Sequence, residues 1–279
     1  MFKNVGLVVR FDRKNALKLA DDLAEHLKAN GLAVYVEDTL AEKISTKQKT
    51  VQLEKMKTDF IITIGGDGTI LRTCLAIPKP EPPILAVNMG VRGFLTEVDP
   101  KQALSAVDRI LAGEFKIEKC MKLAITEDGA RFPDALNEVV ISADEPAKLL
   151  YTRILRNKKP IINCQSDGLM AATQTGSTGY SLSAGGPVLD PSVDAFVLTP
   201  ICPLSVFHPI VFPAESVLTI DVKKPRKTHI LIDGHSRQLV SCRQPGLTVT
   251  RSENETSFIR FGENFYHRLR SRLIFRGMQ

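Results

Sequence analysis

The chain has 279 residues, 43% of them hydrophobic and 24% charged, the balance of a folded globular protein with room for two domains. No stretch approaches the roughly 20 apolar residues of a membrane-spanning helix, which excludes that class. The formal net charge of +6 comes without a long basic run, so it favours a phosphate-rich small molecule over nucleic acid. The densest basic stretch, Arg268, Arg270, Arg272 and Arg276, reads as a solvated or sheet-docking helix face.

Five cysteines, Cys74, Cys120, Cys164, Cys202 and Cys242, are widely spaced, with no C-x-x-C pair. They read as buried thiols in a reducing compartment rather than as a zinc site or disulfide frame. The N-terminal apolar run is too short for a secretory signal, so a cytoplasmic protein is expected.

In chain order, Val5–Arg10 is a compact apolar strand. Ala16, Leu19, Ala20, Leu23, Ala24 and Leu27 then recur at helical spacing and Gly31 ends the helix. Leu32–Glu37 is a second strand, and a polar helix is expected over Thr46–Thr58. The apolar strand Phe60–Ile64 runs straight into Gly65-Gly66 and a helix from Thr69. Ile84–Val87 is another apolar strand, ending at Asn88. Asp99-Pro100 reads as a cap with Pro at the first helical position, opening a helix that stops at Gly113. Short, fully apolar strands alternating with helices predict a parallel sheet.

After about residue 115 the period changes to two. Strands are predicted at Lys122–Thr126, Leu136–Ser142, Thr152–Arg156, Ala195–Leu198, Ser216–Val222, His229–Ile232, Leu247–Thr250 and Ser257–Phe261. Turns are predicted at Asp128-Gly129, Lys158-Lys159, Asp190-Pro191 and Pro245-Gly246. A last helix, Glu263–Phe275, is expected to fold back on the first domain. The expected division is 1–115, an α/β domain with a parallel sheet that handles the phosphate donor; 116–262, an all-β domain; and 263–279, the returning helix.

Three motifs carry chemistry. Gly65-Gly66-Asp67-Gly68-Thr69 lies at the carboxyl end of a strand and opens a helix. Glycines there allow positive φ and close backbone approach, and a helix N-terminus suits phosphate. Asp67 repels phosphate, so it is expected to accept a bond from a hydroxyl or to help hold a magnesium ion. A functionless Gly/Asp turn is the plain alternative. The chain has neither a P-loop nor a G-x-G-x-x-G after its first strand.

The second motif runs through Ser166-Asp167-Gly168-Leu169 and Thr173–Pro187 (TQTGSTGYSLSAGGP). Its density of glycine and hydroxyl suits a loop wrapped around a sugar or phosphate, with hydroxyls and N–H groups as donors. Tyr180 is placed to stack on a base; a glycine-rich corner is the plain alternative. The third is Asn137-Glu138. In a period-two strand these side chains point to opposite faces, and one of them needs a partner inside.

Together the motifs resemble the NAD kinase family in order and spacing, over nearly the whole chain. Asn88-Met89-Gly90-Val91-Arg92-Gly93-Phe94-Leu95-Thr96 resembles that family's N-x-G-x-L-G-F-L segment, and Asp233-Gly234-His235 stands where it often has D-G-Q. Phe265–Arg270 resembles its C-terminal helix. The compact chain is similar to archaeal members. Arg92, Gln165, Gln174, Gly179 and His235 depart from the family's usual leucine, arginine, proline, alanine and glutamine, which bears on affinity and on the choice between NAD and NADH.

The resemblance implies an NAD kinase/diacylglycerol kinase-like fold. It implies phosphorylation of the 2′-hydroxyl of the adenosine ribose of NAD by ATP or polyphosphate. Asp67 would be catalytic, and Mg²⁺ would travel with the donor phosphates. Gly65, Gly66, Gly68, Thr69 and Arg72 would attend the phosphates. The remaining ligand contacts would be Asn88, Asn137, Glu138, Lys148, Asp167, Thr175, Gly176, Ser177, Thr178, Gly179, Tyr180, Ser183 and His235. Asp167 would reach a neighbouring subunit's ligand, implying a homodimer or homotetramer, with no nucleic acid or membrane partner. The rival is a lipid kinase sharing G-G-D-G-T, but Arg72 stands where those enzymes carry an acid, and they lack the long glycine-rich motif. A non-catalytic NAD- or nucleic-acid-binding protein would leave Asp67 unexplained.

Overall fold

A computed structural model describes residues 2–40, 49–90, 93–145, 148–241, 246–262 and 265–273. The chain forms two compact units, Met1–Cys120 with Thr256–Gln279, and Met121–Glu255. Among the described residues no helix is long and apolar enough to cross a membrane.

The first unit contains β1 (Asn4–Val9), α1 (Lys14–Ala29), β2 (Ala33–Glu37), β3 (Lys49–Val51), β4 (Phe60–Gly65), α2 (Asp67–Ala76), β5 (Ile84–Asn88) and α3 (Ala103–Leu111). Its strands are parallel, in the order β3-β2-β1-β4-β5. Every residue of β4 is buried, which explains its unbroken apolar run. One face of α1 (Ala16, Ala20, Leu23, Ala24, Leu27) packs into the same core as Val5, Leu7, Phe60 and Ile62. Gly31 ends α1 at φ 80° and Gly113 follows α3 at φ 77°, the left-handed conformation that stops helices. The expected helix over 46–58 does not form. Lys49–Val51 pairs with β2 as an edge strand, and Leu53–Lys55 is one 3₁₀ turn whose Leu53 is buried; residues 46–48 lie outside the described residues.

β6 (Lys116–Glu127) leads into the second unit, which contains β7 (Ala130–Arg131), β8 (Glu138–Ala143), β9 (Leu150–Arg156), β10 (Lys159–Ser166), β11 (Gly168–Ala172), the single turn α4 (Tyr180–Ser183), β12 (Ala195–Ile201), β13 (Ile210–Pro213), β14 (Leu218–Lys224), β15 (Lys227–Ile232) and β16 (Ser236–Ser241). A six-stranded sheet runs β13-β12-β11-β8-β15-β16, all antiparallel. β17 (Leu247–Arg260) is one strand where two were expected. It leaves this unit at Thr256 and ends beside β5, Phe258 pairing with Ile84. α5 (Phe265–Leu273) then belongs to the first unit, as its sequence suggested.

β10, β11, β13 and β16 were not expected. β11 (Gly168–Ala172), central in the sheet between β8 and β12, is buried throughout and so shows no alternation. The turn expected at Lys158-Lys159 falls one residue earlier, at Asn157 and Lys158, with φ 49° and 67°. Cys74 and Cys164 are buried as expected, but Cys202 is exposed; Pro245 and Cys242 lie outside the described residues.

Candidate functional site

In the first unit, chain direction reverses across the sheet between β1 and β4: β1 connects outward to β2 and β4 outward to β5. Ligands of open parallel sheets bind outside the carboxyl ends of strands at such a reversal. Gly65–Thr69 stands there, and Gly66 caps α2, whose first turn contains Asp67. The glycines do not serve through positive φ, since none of Gly65, Gly66 and Gly68 has it. Gly65 is needed for space: a Cβ on it would lie 2.2 Å from Thr69 Oγ1. The residue type is right, and the cause is Thr69 folding over the strand end.

Asp67 is already bonded. Its carboxylate accepts the N–H of Phe94 (2.9 Å to Oδ2, 3.1 Å to Oδ1) and of Leu95 (3.0 Å to Oδ1). Two N–H groups leave acceptor capacity on a carboxylate, chiefly on Oδ2. Residues 93–96 are fixed from behind. Arg260 donates to Leu95 O at 2.9 Å, Arg268 donates to Thr96 O at 3.1 Å, and Phe265 of α5 packs edge-on against Phe94 at 5.5 Å. The C-terminal segment thus holds the strip that Asp67 grips. Arg92, beside it, lies outside the described residues.

Arg72 is not available to a phosphate in this arrangement. Its guanidinium forms a two-pronged pair with the buried Glu37 at 2.5 and 2.8 Å, which raises its pKa further. Burying Glu37 requires that partner. Asn88 makes a local turn, accepting the Gly90 N–H at 3.0 Å. Arg10 and Arg13, on the loop after β1, were missed by the sequence reading. Both are at the reversal point, and Arg13 donates to Met89 O at 3.1 Å. Only strand order reveals them.

In the second unit three separate motifs meet because β8 lies between β11 and β15. Glu138 pairs with Ala172, just before the glycine-rich loop, and Val139 pairs with Ile232, just before Asp233-Gly234. The expectation that Asn137 and Glu138 face opposite ways fails. β8 begins at Glu138 and Asn137 lies in the bend before it, where strand alternation does not apply. Both side chains come to Gly179: a Cβ there would be 3.6 Å from Glu138 Oε2 and 3.8 Å from Asn137 Nδ2. Gly176 presses on the same bend so closely that a Cβ would sit 2.1 Å from Asn137 O.

Two buried hydroxyls of the long loop, Ser177 and Thr178, hold the loop itself. Ser177 donates to Gln174 O (2.6 Å) and accepts from Leu189 N–H (3.0 Å); Thr178 donates to Thr175 O (3.1 Å). These bonds give both hydroxyls a structural role in the loop. Thr175 is half-buried, while Ser183 and Tyr180 are exposed, Tyr180 at 46%. His235 is exposed, with its Nδ1 2.7 Å from Asp233 O. Two acceptors are left over. Asn137 Oδ1 and Glu138 Oε2 are buried with no hydrogen-bond partner. Burial, aided by the nearby Asp233 charge, pushes the Glu138 carboxyl up to about 7.

Asp167 and Lys148 do not join this group. Gly168 pairs with Ser142 at the far end of β8, four residues or about 13 Å away. They line a separate cavity of about 310 Å³ with Asp144, Glu145 and Arg237, and Lys148 is 2.6 Å from Glu145.

An α/β unit with a glycine turn and carboxylate at its sheet reversal, joined to a β unit with a polar loop, is the build of a two-domain phosphotransferase. The family model for the ATP-NAD kinase N-terminal domain matches residues 5–115, and that for the ATP-NAD kinase C-terminal domain matches 136–261. An NAD kinase of Methanothermobacter thermautotrophicus is 38% identical over 97% of this chain and 96% of its own length. Among solved structures, yeast NADH kinase complexed with NADH matches with TM-score 0.88 at 25% identity, over 99% of this chain and 90% of that one. An NAD kinase from Archaeoglobus fulgidus in complex with ATP matches with TM-score 0.79 at 26% identity, over 96% and 99%. The chain belongs to the ATP-NAD kinase family. No comparison supports the lipid-kinase alternative.

Proposed function

We propose that this protein transfers the terminal phosphoryl group of ATP, or of another polyphosphate, to the 2′-hydroxyl of the adenosine ribose of NAD, giving NADP. The observation that carries this is the pair of orphaned acceptors, Asn137 Oδ1 and Glu138 Oε2, buried at Gly179. Buried polar atoms without partners cost free energy. A ligand rich in hydroxyl and amino donors, such as a dinucleotide, repays that cost. The relatives named for NAD and the neighbours holding NADH and ATP agree with this choice.

Asp67 accepts the 2′-hydroxyl proton as its oxygen forms the new bond to phosphorus. The bond from that phosphorus to the bridging oxygen breaks and ADP leaves. Positioning and charge stabilisation carry such a transfer. The free N–H groups of the first turn of α2 and the Arg13 side chain meet the donor's charge, while Arg10 is held by Asp12 at 2.6 and 2.7 Å. A divalent cation travelling with the donor would neutralise its phosphate oxygens. Among the described residues no three His, Cys, Asp or Glu gather to hold an ion. Such a cation would therefore take its ligands mainly from phosphate and water, with Asp67 the carboxylate at the turn.

Asp167 and Lys148, being remote from Asn137 and Glu138, serve the ligand of a second copy in this reading, which makes the active form an oligomer. The test is formation of NADP from NAD and ATP by the purified protein, followed by coupled reduction to NADPH. Absence of product with ATP, other nucleoside triphosphates and polyphosphate would overturn it.

A further inference from the structure

Asp233 and Gly234 form the tip of the β15–β16 hairpin, at φ 49° and 69°, closed by the bond from His235 N–H to Ile232 O. Such a turn accepts Asp or Asn before Gly equally well. The Asp233 carboxylate does more than the turn requires. It is 2% exposed and accepts three backbone N–H groups, from Leu136 (2.8 Å), Asn137 (2.8 Å) and Glu138 (3.0 Å). Burial pushes the Asp233 carboxyl above its ordinary range, against the pull of these three N–H bonds and, more weakly, of the buried Lys122 charge.

The geometry explains why three donors need one acceptor. In a regular strand, adjacent side chains part to opposite faces. Here the bend at 136–137 turns Asn137 and Glu138 toward the same glycine, and that bend takes N–H groups out of ladder pairing. Backbone donors left unpaired inside would reverse the bend. The buried Asp233 carboxylate supplies the missing acceptors, and Asp233 N–H itself donates to Glu138 O at 3.0 Å.

Resting on the reading of this unit as the holder of NAD, we infer that Asp233 is a positioning residue that aims Asn137 and Glu138 at the dinucleotide. It touches no reacting atom, so its loss weakens NAD binding and leaves the chemical step nearly intact.

The experiment compares Asp233→Asn with the double variant Asp233→Asn/Lys122→Met. Asparagine fits the left-handed turn but brings an NH₂ against backbone N–H groups and removes the carboxylate charge. The double variant also removes the Lys122 charge, which separates a change in charge balance from the loss of the acceptor. NAD dissociation constant by calorimetry, KM for each substrate, kcat and melting temperature are measured on the same samples.

The expected result is that both variants bind NAD at least about tenfold more weakly, the scale of one lost charged hydrogen bond. The donor KM should stay unchanged and kcat at saturating NAD within about threefold. Weaker NAD binding in both variants, with donor KM and kcat preserved, is the signature. NAD affinity unchanged per folded molecule makes Asp233 a turn residue and overturns the assignment, as does a fall in kcat with KM intact. A wild-type protein that binds no NAD overturns the Proposed function first, and is recognised before any variant is made.

Discussion

Two carboxylates in the two units use one device at different depths. Asp67 grips two N–H groups of the 93–95 strip, and Asp233 grips three at the entry to β8. Asp67 is half-buried at the mouth of the glycine turn, whereas Asp233 is 2% exposed. The difference lies in what remains after the backbone is satisfied. Asp67 keeps a lone pair turned outward and a side to approach from; Asp233 is spent. In the proposed function, Asp67 both holds backbone and reacts because it is not sealed, whereas Asp233 only holds.

The sharpest way to break this comparison is Asp67→Asn. Loss of a general base lowers kcat by about 10²–10⁴. Because the new NH₂ faces the donors on Phe94 and Leu95, the melting temperature falls as well. A folded variant with near-normal kcat would reduce Asp67 to a second Asp233.

Arg72→Met comes next. It strands the buried Glu37 and should cost about 3 kcal/mol of stability, read by denaturant unfolding, while the donor KM per folded molecule does not move. A raised donor KM with unchanged stability would return Arg72 to the phosphate.

Glu138→Gln tests the second unit. The folded-state pKa of Glu138 is raised to about 7, so its contribution is present below the ordinary carboxylate pKa and is lost as pH rises through about 7. The variant does not titrate there. It should match the wild type near pH 4 and exceed it at pH 8 by up to about 3 kcal/mol, although it binds NAD more weakly. Parallel stability curves over that range would refute the burial argument.

Arg13→Ala should have the smallest effect. Exposed and bonded only to Met89 O in the described contacts, it should raise the donor KM about threefold, the scale of one exposed charge contact, with NAD affinity unchanged. An effect on NAD alone would move the donor away from the β1–β4 reversal.

The sequence by itself determined the apolar strands of the parallel sheet, α1 with its Gly31 stop, the glycine turn with Asp67 and the family. Each is a local pattern: an unbroken apolar run, helical spacing, a residue without Cβ at a strand end. Sequence could not tell which polar groups are already used. Arg72 read equally as a phosphate contact or a salt bridge until Glu37, 35 residues away, was beside it. Ser177 and Thr178 looked like ligand donors until their hydroxyls closed their own loop. Asp233 was only part of a family-like D-G-H segment until β15 was set against β8, 95 residues from Glu138. Strand order decided the site, because a hydrogen bond is spent by whichever partner the tertiary fold brings near, and spacing along the chain does not record that distance.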